Sequence, residues 1–209
     1  MPSVALRLMR DHLRPNTGAA LPAVNRVLYL LDGALTVDGK NVPVNTAWHG
    51  AGACKVAAGP TGATVLRYEL GRDDTPVEAT PLLARVLRLD PTAAYLMRCD
   101  RVDFDLGAEA LPHRHKGGGI RCLISGTMEL RVQGEPDRVI KPGEAWFESG
   151  REPVYAKASA TEPTSFIRCS ILPREIRGQS SIMYVDPKDA GSKPRKYTVF
   201  VDEPIELPR

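Results

Sequence analysis

The stretch GAEALPHRHKGGGIRCLISG, residues 107–126, decides how this chain is read. It sets His113 and His115 one residue apart and follows them with a glycine run and a short apolar segment ending at Gly126. Side chains two residues apart on a β-strand project to the same face, so these imidazoles stand close enough to grip one metal ion. The spacing supplies half of a site. The alternative is a pair of polar strand residues beside the loop Lys116 to Gly119.

The flanking sequence is β-like. Residues 26–32, 34–38, 64–70, 121–124, 127–132, 145–148, 165–172 and 197–202 are short, rich in Val, Ile, Leu and aromatics, and bounded by Gly, Pro or Asp. Strands of this length at even spacing predict an all-β sandwich or barrel. One segment reads as a helix, TPLLARVLRL at residues 80–89, with Thr80 as cap and Pro81 in the first helical position. A helical turn within residues 1–13 is a second, weaker pattern. The second half of the chain also reuses the first. Under AWHGAGACKVAA (residues 47–58) stands AWFESGREPVYA (residues 145–156), with Ala47, Trp48, Gly52, Val56 and Ala58 over Ala145, Trp146, Gly150, Val154 and Ala156. The segment TVLRYEL matches SFIRCSI, with Arg67 over Arg168. Two copies of one β unit are expected, over roughly residues 20–75 and 90–185. The chain then divides into a first barrel at 1–78, a linker with helical pattern at 79–90, and a second barrel at 91–209.

Composition narrows the function. With 209 residues, 43% hydrophobic and 25% charged, the chain is long enough to bury a core and is not disordered. The net charge of +3, from 28 Lys and Arg against 25 Asp and Glu, is small and scattered, which argues against nucleic acid or a membrane surface as partner. The longest apolar run, around Val27 to Leu31, falls far below the roughly 20 residues needed to span a bilayer. The opening residues, broken by Arg7, Arg10, Asp11 and Arg14, do not read as a secretory signal. Cys54, Cys99, Cys122 and Cys169 are widely spaced with no C-x-x-C pair, so buried free thiols in a reducing cytoplasm are expected.

Gly107, His113, His115 and Gly126 resemble the first motif of the cupin superfamily, G-x5-H-x-H-x3or4-E-x6-G, with Gly119 at the glutamate slot. The second motif, G-x5-P-x-G-x2-H-x3-N, is weaker: counted from Gly143, its proline, histidine and asparagine slots hold Ser149, Val154 and Ala158. The resemblance covers both copies and implies two cupin-type double-stranded β-helix (jelly-roll) barrels in one chain, and a homodimer. It also implies a divalent transition metal, Fe, Mn, Ni or Zn, normally held by three histidines and one glutamate. His113 and His115 are two of those four ligands, so other donors would have to complete the shell. Glu148 is one candidate, as ligand or proton carrier. Glu109 and Tyr155 are others, Tyr155 also as a proton carrier. Arg121, two residues past the glutamate slot, shares its face and points toward the barrel interior. A buried guanidinium must be paired, so Arg121 either meets an internal acid such as Glu148 or anchors a carboxylate-bearing substrate. The first copy lacks the histidine pair, has Arg26 at its glutamate slot, and reads as a structural mate in which His49 is a strand or pocket residue. The expected function is binding of a small organic, anionic ligand in the second barrel, with metal-dependent dioxygenase, isomerase or lyase chemistry. The alternatives are a metal-free binding or sensing module and, as a third class, a mainly structural bicupin of the storage type.

Overall fold

The structure, a computed structural model, describes residues 3–74, 79–192 and 195–208. No α-helix occurs among them, and no helix there is long and apolar enough to cross a membrane. The strands are β1 (Val4–Leu13), β2 (Gly18–Leu21), β3 (Asn25–Val37), β4 (Lys40–Val42), β5 (Ala47–Gly50), β6 (Cys54–Arg72), β7 (Leu83–Leu87), β8 (Tyr95–Phe104) and β9 (Glu109–His115). They continue as β10 (Gly119–Ser125), β11 (Met128–Val132), β12 (Arg138–Ile140), β13 (Ala145–Glu148), β14 (Val154–Ala158), β15 (Thr164–Pro173), β16 (Ile182–Tyr184) and β17 (Arg195–Ile205).

The chain packs as two units, Met1–Ala93 with Ile205–Arg209, and Ala94–Pro204. The first is one seven-stranded sheet in the order β4-β3-β6-β1-β7, with β2 beside β6 and β5 beside β3. Its longest strands bend instead of ending. The β3–β6 register slips between Leu30 and Asp32 and again between Gly33 and Leu35. At the second slip Gly33 has φ +88°, and a Cβ there would lie 2.2 Å from the Gly62 carbonyl oxygen, so only glycine fits.

Two five-stranded sheets form the second unit, β13-β10-β15-β8-β17 and β12-β11-β14-β9-β16. Alternation explains their packing. Met128, Leu130 and Val132 of β11 and Val154, Ala156 and Ala158 of β14 are buried, while the residues between them face outward. These side chains meet Val102, Phe104, Leu123, Trp146 and Phe166 from the other sheet in one apolar core, a jelly-roll arrangement.

Two expected helices are strands. Residues 83–87, inside the expected helix, form β7, which pairs antiparallel with β1 from Val4 opposite Leu87 to Leu8 opposite Leu83. Residues 4–13 are β1, hydrogen-bonded to β6 along their whole length. The free edge of β1 offers β7 a ladder, and that tertiary pairing outweighs local helix propensity. The segment 79–90 is therefore part of the first unit, whose boundary falls after Ala93. The C-terminal strand, β17, pairs with β8 at the edge of its sheet.

Candidate functional site

The site is built at the polar end of the second unit's core. His113 and His115 lie on β9, between β14 and β16, and both are buried. Their rings are 4.9 Å apart and nearly perpendicular. From the opposing sheet come Arg121 on β10, Trp146 and Glu148 on β13 and Arg168 on β15, all buried. With Arg195 and Tyr197 from β17 they line a cavity of about 20 Å³, room for about one water.

Gly119 explains where the carboxylate stands. This residue occupies the glutamate slot of the sequence motif, and it faces Ser170 on one side and Glu148 on the other. A Cβ at Gly119 would lie 2.3 Å from Ser170 Oγ and 2.6 Å from the Cys169 carbonyl oxygen, so no side chain fits that backbone. The acid comes instead from across the ladder, where Glu148 reaches the histidines.

Glu148 is fully engaged. Its Oε1 accepts a 2.8 Å hydrogen bond from Trp146 Nε1, and its Oε2 lies 2.8 Å from Arg121 Nη2 and 3.1 Å from His115 Nε2. The Arg121 contact is an ion pair, and the His115 contact is a polar approach in which the ring nitrogen is the donor side. Burial alone would raise the carboxyl pKa, but Arg121 and His115 hold it well below the usual carboxylate range. Arg121 also donates to the Gly119 carbonyl oxygen at 2.6 Å.

Both histidines are neutral. Burial lowers His113 to about 4 and His115 to about 3, with the Arg121 charge adding to the effect at His115. The Leu111 carbonyl lies 2.7 Å from His113 Nδ1 and can only accept, so that nitrogen carries the proton and Nε2 keeps a lone pair. In His115 the assignment is reversed. Its Nε2 faces the Glu148 carboxylate, and its Nδ1 is buried without a hydrogen bond.

For a metal ion the donor set falls short. Among the described residues no three His, Cys, Asp or Glu side chains form a group able to hold one. The one carboxylate beside the histidines already has a guanidinium within 2.8 Å, and a divalent cation would have to share that space with a like charge. The other slots hold no donor: Val154 is packed in the core, and Gly119 has no room for a side chain.

Two further expectations are corrected. Tyr155 lies on the outer face of β14, where Arg131 covers its ring at 5.1 Å, and it does not reach the cavity. Glu109 also faces outward, 3.3 Å from Lys157. The cause is an irregularity at Pro112. Val154 pairs with His113 but Ala156 pairs with Ala110, so the face of β9 changes between Glu109 and His113. Arg121, one of whose two sequence readings was substrate anchoring, is paired with Glu148. In the first unit His49 sits on β5 opposite Val27, with no second histidine beside it on the strand.

Arg168 and Arg195 were not singled out as site residues. Arg168 ion-pairs with Asp100 of β8 at 2.6 Å, and the Asp100 charge lifts its pKa despite complete burial. Its counterpart Arg67 pairs with Asp11 of β1, also at 2.6 Å, so the alignment of these arginines in sequence did hold a signal. Arg195 follows a polar loop distant in sequence and carried none.

No protein-family model matches the chain, and neither does any curated protein. Solved structures do. A cupin 2 conserved barrel domain protein from Leptotrichia buccalis is 14% identical with a TM-score of 0.52, covering 82% of this chain and 85% of its own. A deletion mutant of oxalate decarboxylase from Bacillus subtilis is 12% identical with a TM-score of 0.65, covering 92% of this chain and 73% of its own. Salicylate 1,2-dioxygenase from Pseudaminobacter salicylatoxidans is 11% identical with a TM-score of 0.57, over 93% and 75%. Likeness at such identities speaks to architecture, and the chain has the cupin fold.

Proposed function

We propose that the second unit binds a small hydroxycarboxylic acid in the cavity beside His113 and His115, with Arg195 as counter-ion. The charge balance of the cavity carries this reading. Three guanidiniums line it, from Arg121, Arg168 and Arg195. Glu148 neutralises the first and Asp100 the second. Arg195 donates to the Tyr197 hydroxyl and lies over the rings of Phe104 and Tyr197, yet among the described residues its buried Nη1 has no hydrogen-bond partner. With both imidazoles neutral, one positive charge remains, and a ligand carboxylate would satisfy it.

The hydroxyl follows from His113. Its Nε2 is an acceptor, so it suits a ligand O–H and opposes a bare carboxylate oxygen. The names of oxalate decarboxylase and salicylate 1,2-dioxygenase point to carboxylic acids, and salicylate places a hydroxyl beside its carboxylate. The cavity as it stands holds about one water, so the ligand is limited to a compact acid such as glycolate or lactate, and its entry requires the half-buried Arg195 and the exposed Tyr197 to move aside. Dioxygenase, isomerase or lyase chemistry on a metal would need donors that Gly119, Val154 and Ala158 do not supply, so the reading is one of binding.

Thermal-shift titration tests it. Glycolate and lactate are expected to raise the melting temperature of the wild type, 1,2-propanediol is expected to leave it unchanged, and Arg195→Gln is expected to remove the response while keeping the fold by circular dichroism. An equal response in Arg195→Gln, or none in the wild type, overturns the proposal.

A further inference from the structure

A second, larger cavity of about 310 Å³ opens in the same unit, sharing only Arg168 and Tyr197 with the cavity beside the histidines. Its framework is an ion pair. Arg98 meets Asp202 at 2.8 Å and 3.0 Å and donates to the carbonyl oxygens of Gln179 and Ile176, while Asp202 accepts from the Gly178 N–H. These bonds pin the loop through Gly178 against β8 and β17. The cavity is thus formed before any ligand arrives.

Every charge on its wall is spent within the protein. Arg98 is matched by Asp202 and Arg168 by Asp100, so a charged ligand group would find no counter-ion. What remains is neutral. Ser180 Oγ accepts from the Ile182 N–H and keeps its own proton to donate, while the Gln179 side chain donates to the Glu175 carbonyl and keeps its amide oxygen to accept. Ile182, Val199 and the Tyr197 ring supply apolar surface, and Val199 and Tyr197 are exposed, so the cavity opens to solvent on that side.

We infer that this cavity is a separate binding site for an uncharged, hydroxyl-bearing small molecule with a largely apolar body, such as an aromatic alcohol or a phenol. A neutral hydroxyl can both donate to the Gln179 oxygen and accept from Ser180, and the ring lies against Tyr197 and Val199. The volume admits a six-membered ring, which the cavity beside the histidines does not.

Ligand-observed NMR and isothermal titration with benzyl alcohol and resorcinol test the inference, with benzoate and benzylammonium as charged controls. The neutral pair is expected to bind at least tenfold more tightly than either control. Val199→Trp, which fills the cavity from its open side, is expected to weaken the neutral pair at least tenfold, and Ile182→Trp to do the same from β16. Both variants are expected to keep the glycolate response that depends on Arg195, which separates failure here from failure of the hydroxy-acid proposal. Benzyl alcohol that does not bind the wild type overturns the inference, as does unchanged binding in both folded variants or equal binding of the charged controls.

Discussion

At the scale of single residues, the histidine pair makes stability depend on acidity. Unfolded histidine titrates near 6.5, whereas burial takes His113 to about 4 and His115 to about 3. Below about pH 6.5 the unfolded chain therefore takes up protons that the folded chain refuses, and stability present at neutral pH is lost as the pH falls toward those folded values. Each imidazole costs roughly 1.4 kcal/mol per pH unit in that window, so lowering the pH from 7 to 5 should cost on the order of 2 kcal/mol per histidine. Urea unfolding at the two pH values measures this, and exchanging both residues for asparagine should flatten the dependence. An equal midpoint for the wild type at both values would contradict it. These two residues were legible because a period of two places them together whatever the rest of the strand does. Tyr155 and Glu109 were misjudged for the complementary reason. Parity cannot be counted through the irregularity at Pro112, and Val154, not its neighbour, faces the cavity.

For the elements, β7 is the instructive case. Residues 80–89 carry a capping threonine, a proline suited to a first turn and good helix formers, yet β7 runs beside β1 with Val86 opposite Ala5. An edge strand turns alternate amides toward its neighbour and the others toward solvent. Hydrogen exchange across Leu83–Leu87 should thus alternate between slow and fast, whereas a run of uniformly slow amides would restore the helical reading. Most central strands could be found from their apolar runs. β8 could not, because Arg98, Asp100, Arg101 and Asp103 interrupt it. Two of those charges are inward-facing partners of Asp202 and Arg168, a pairing that exists only once distant strands have met.

Considered whole, the chain pairs a cupin architecture with a centre in which Arg121 and Arg168 are matched by internal carboxylates. Titration of purified protein with zinc or nickel should show no stoichiometric uptake at micromolar protein, because Arg121 holds the Glu148 carboxylate and the two imidazoles alone fill only half of a tetrahedral shell. Stoichiometric uptake abolished by His115→Ala would overturn that expectation. The duplicated architecture was readable from the Trp48 and Trp146 match and from the arginines of β6 and β15, which make corresponding ion pairs with β1 and β8. Arg195 was not readable, because its significance is a charge left over after every other guanidinium of the cavity has been matched, a sum that requires the three-dimensional partners. The tight packing at Gly119 has one more consequence. Placing a glutamate there would take more than a codon change, since Ser170 and the β15 backbone occupy the space its first carbon would need. No single substitution at Gly119 can therefore supply a carboxylate from β10, and the acid of this cavity has to be delivered by the neighbouring strand.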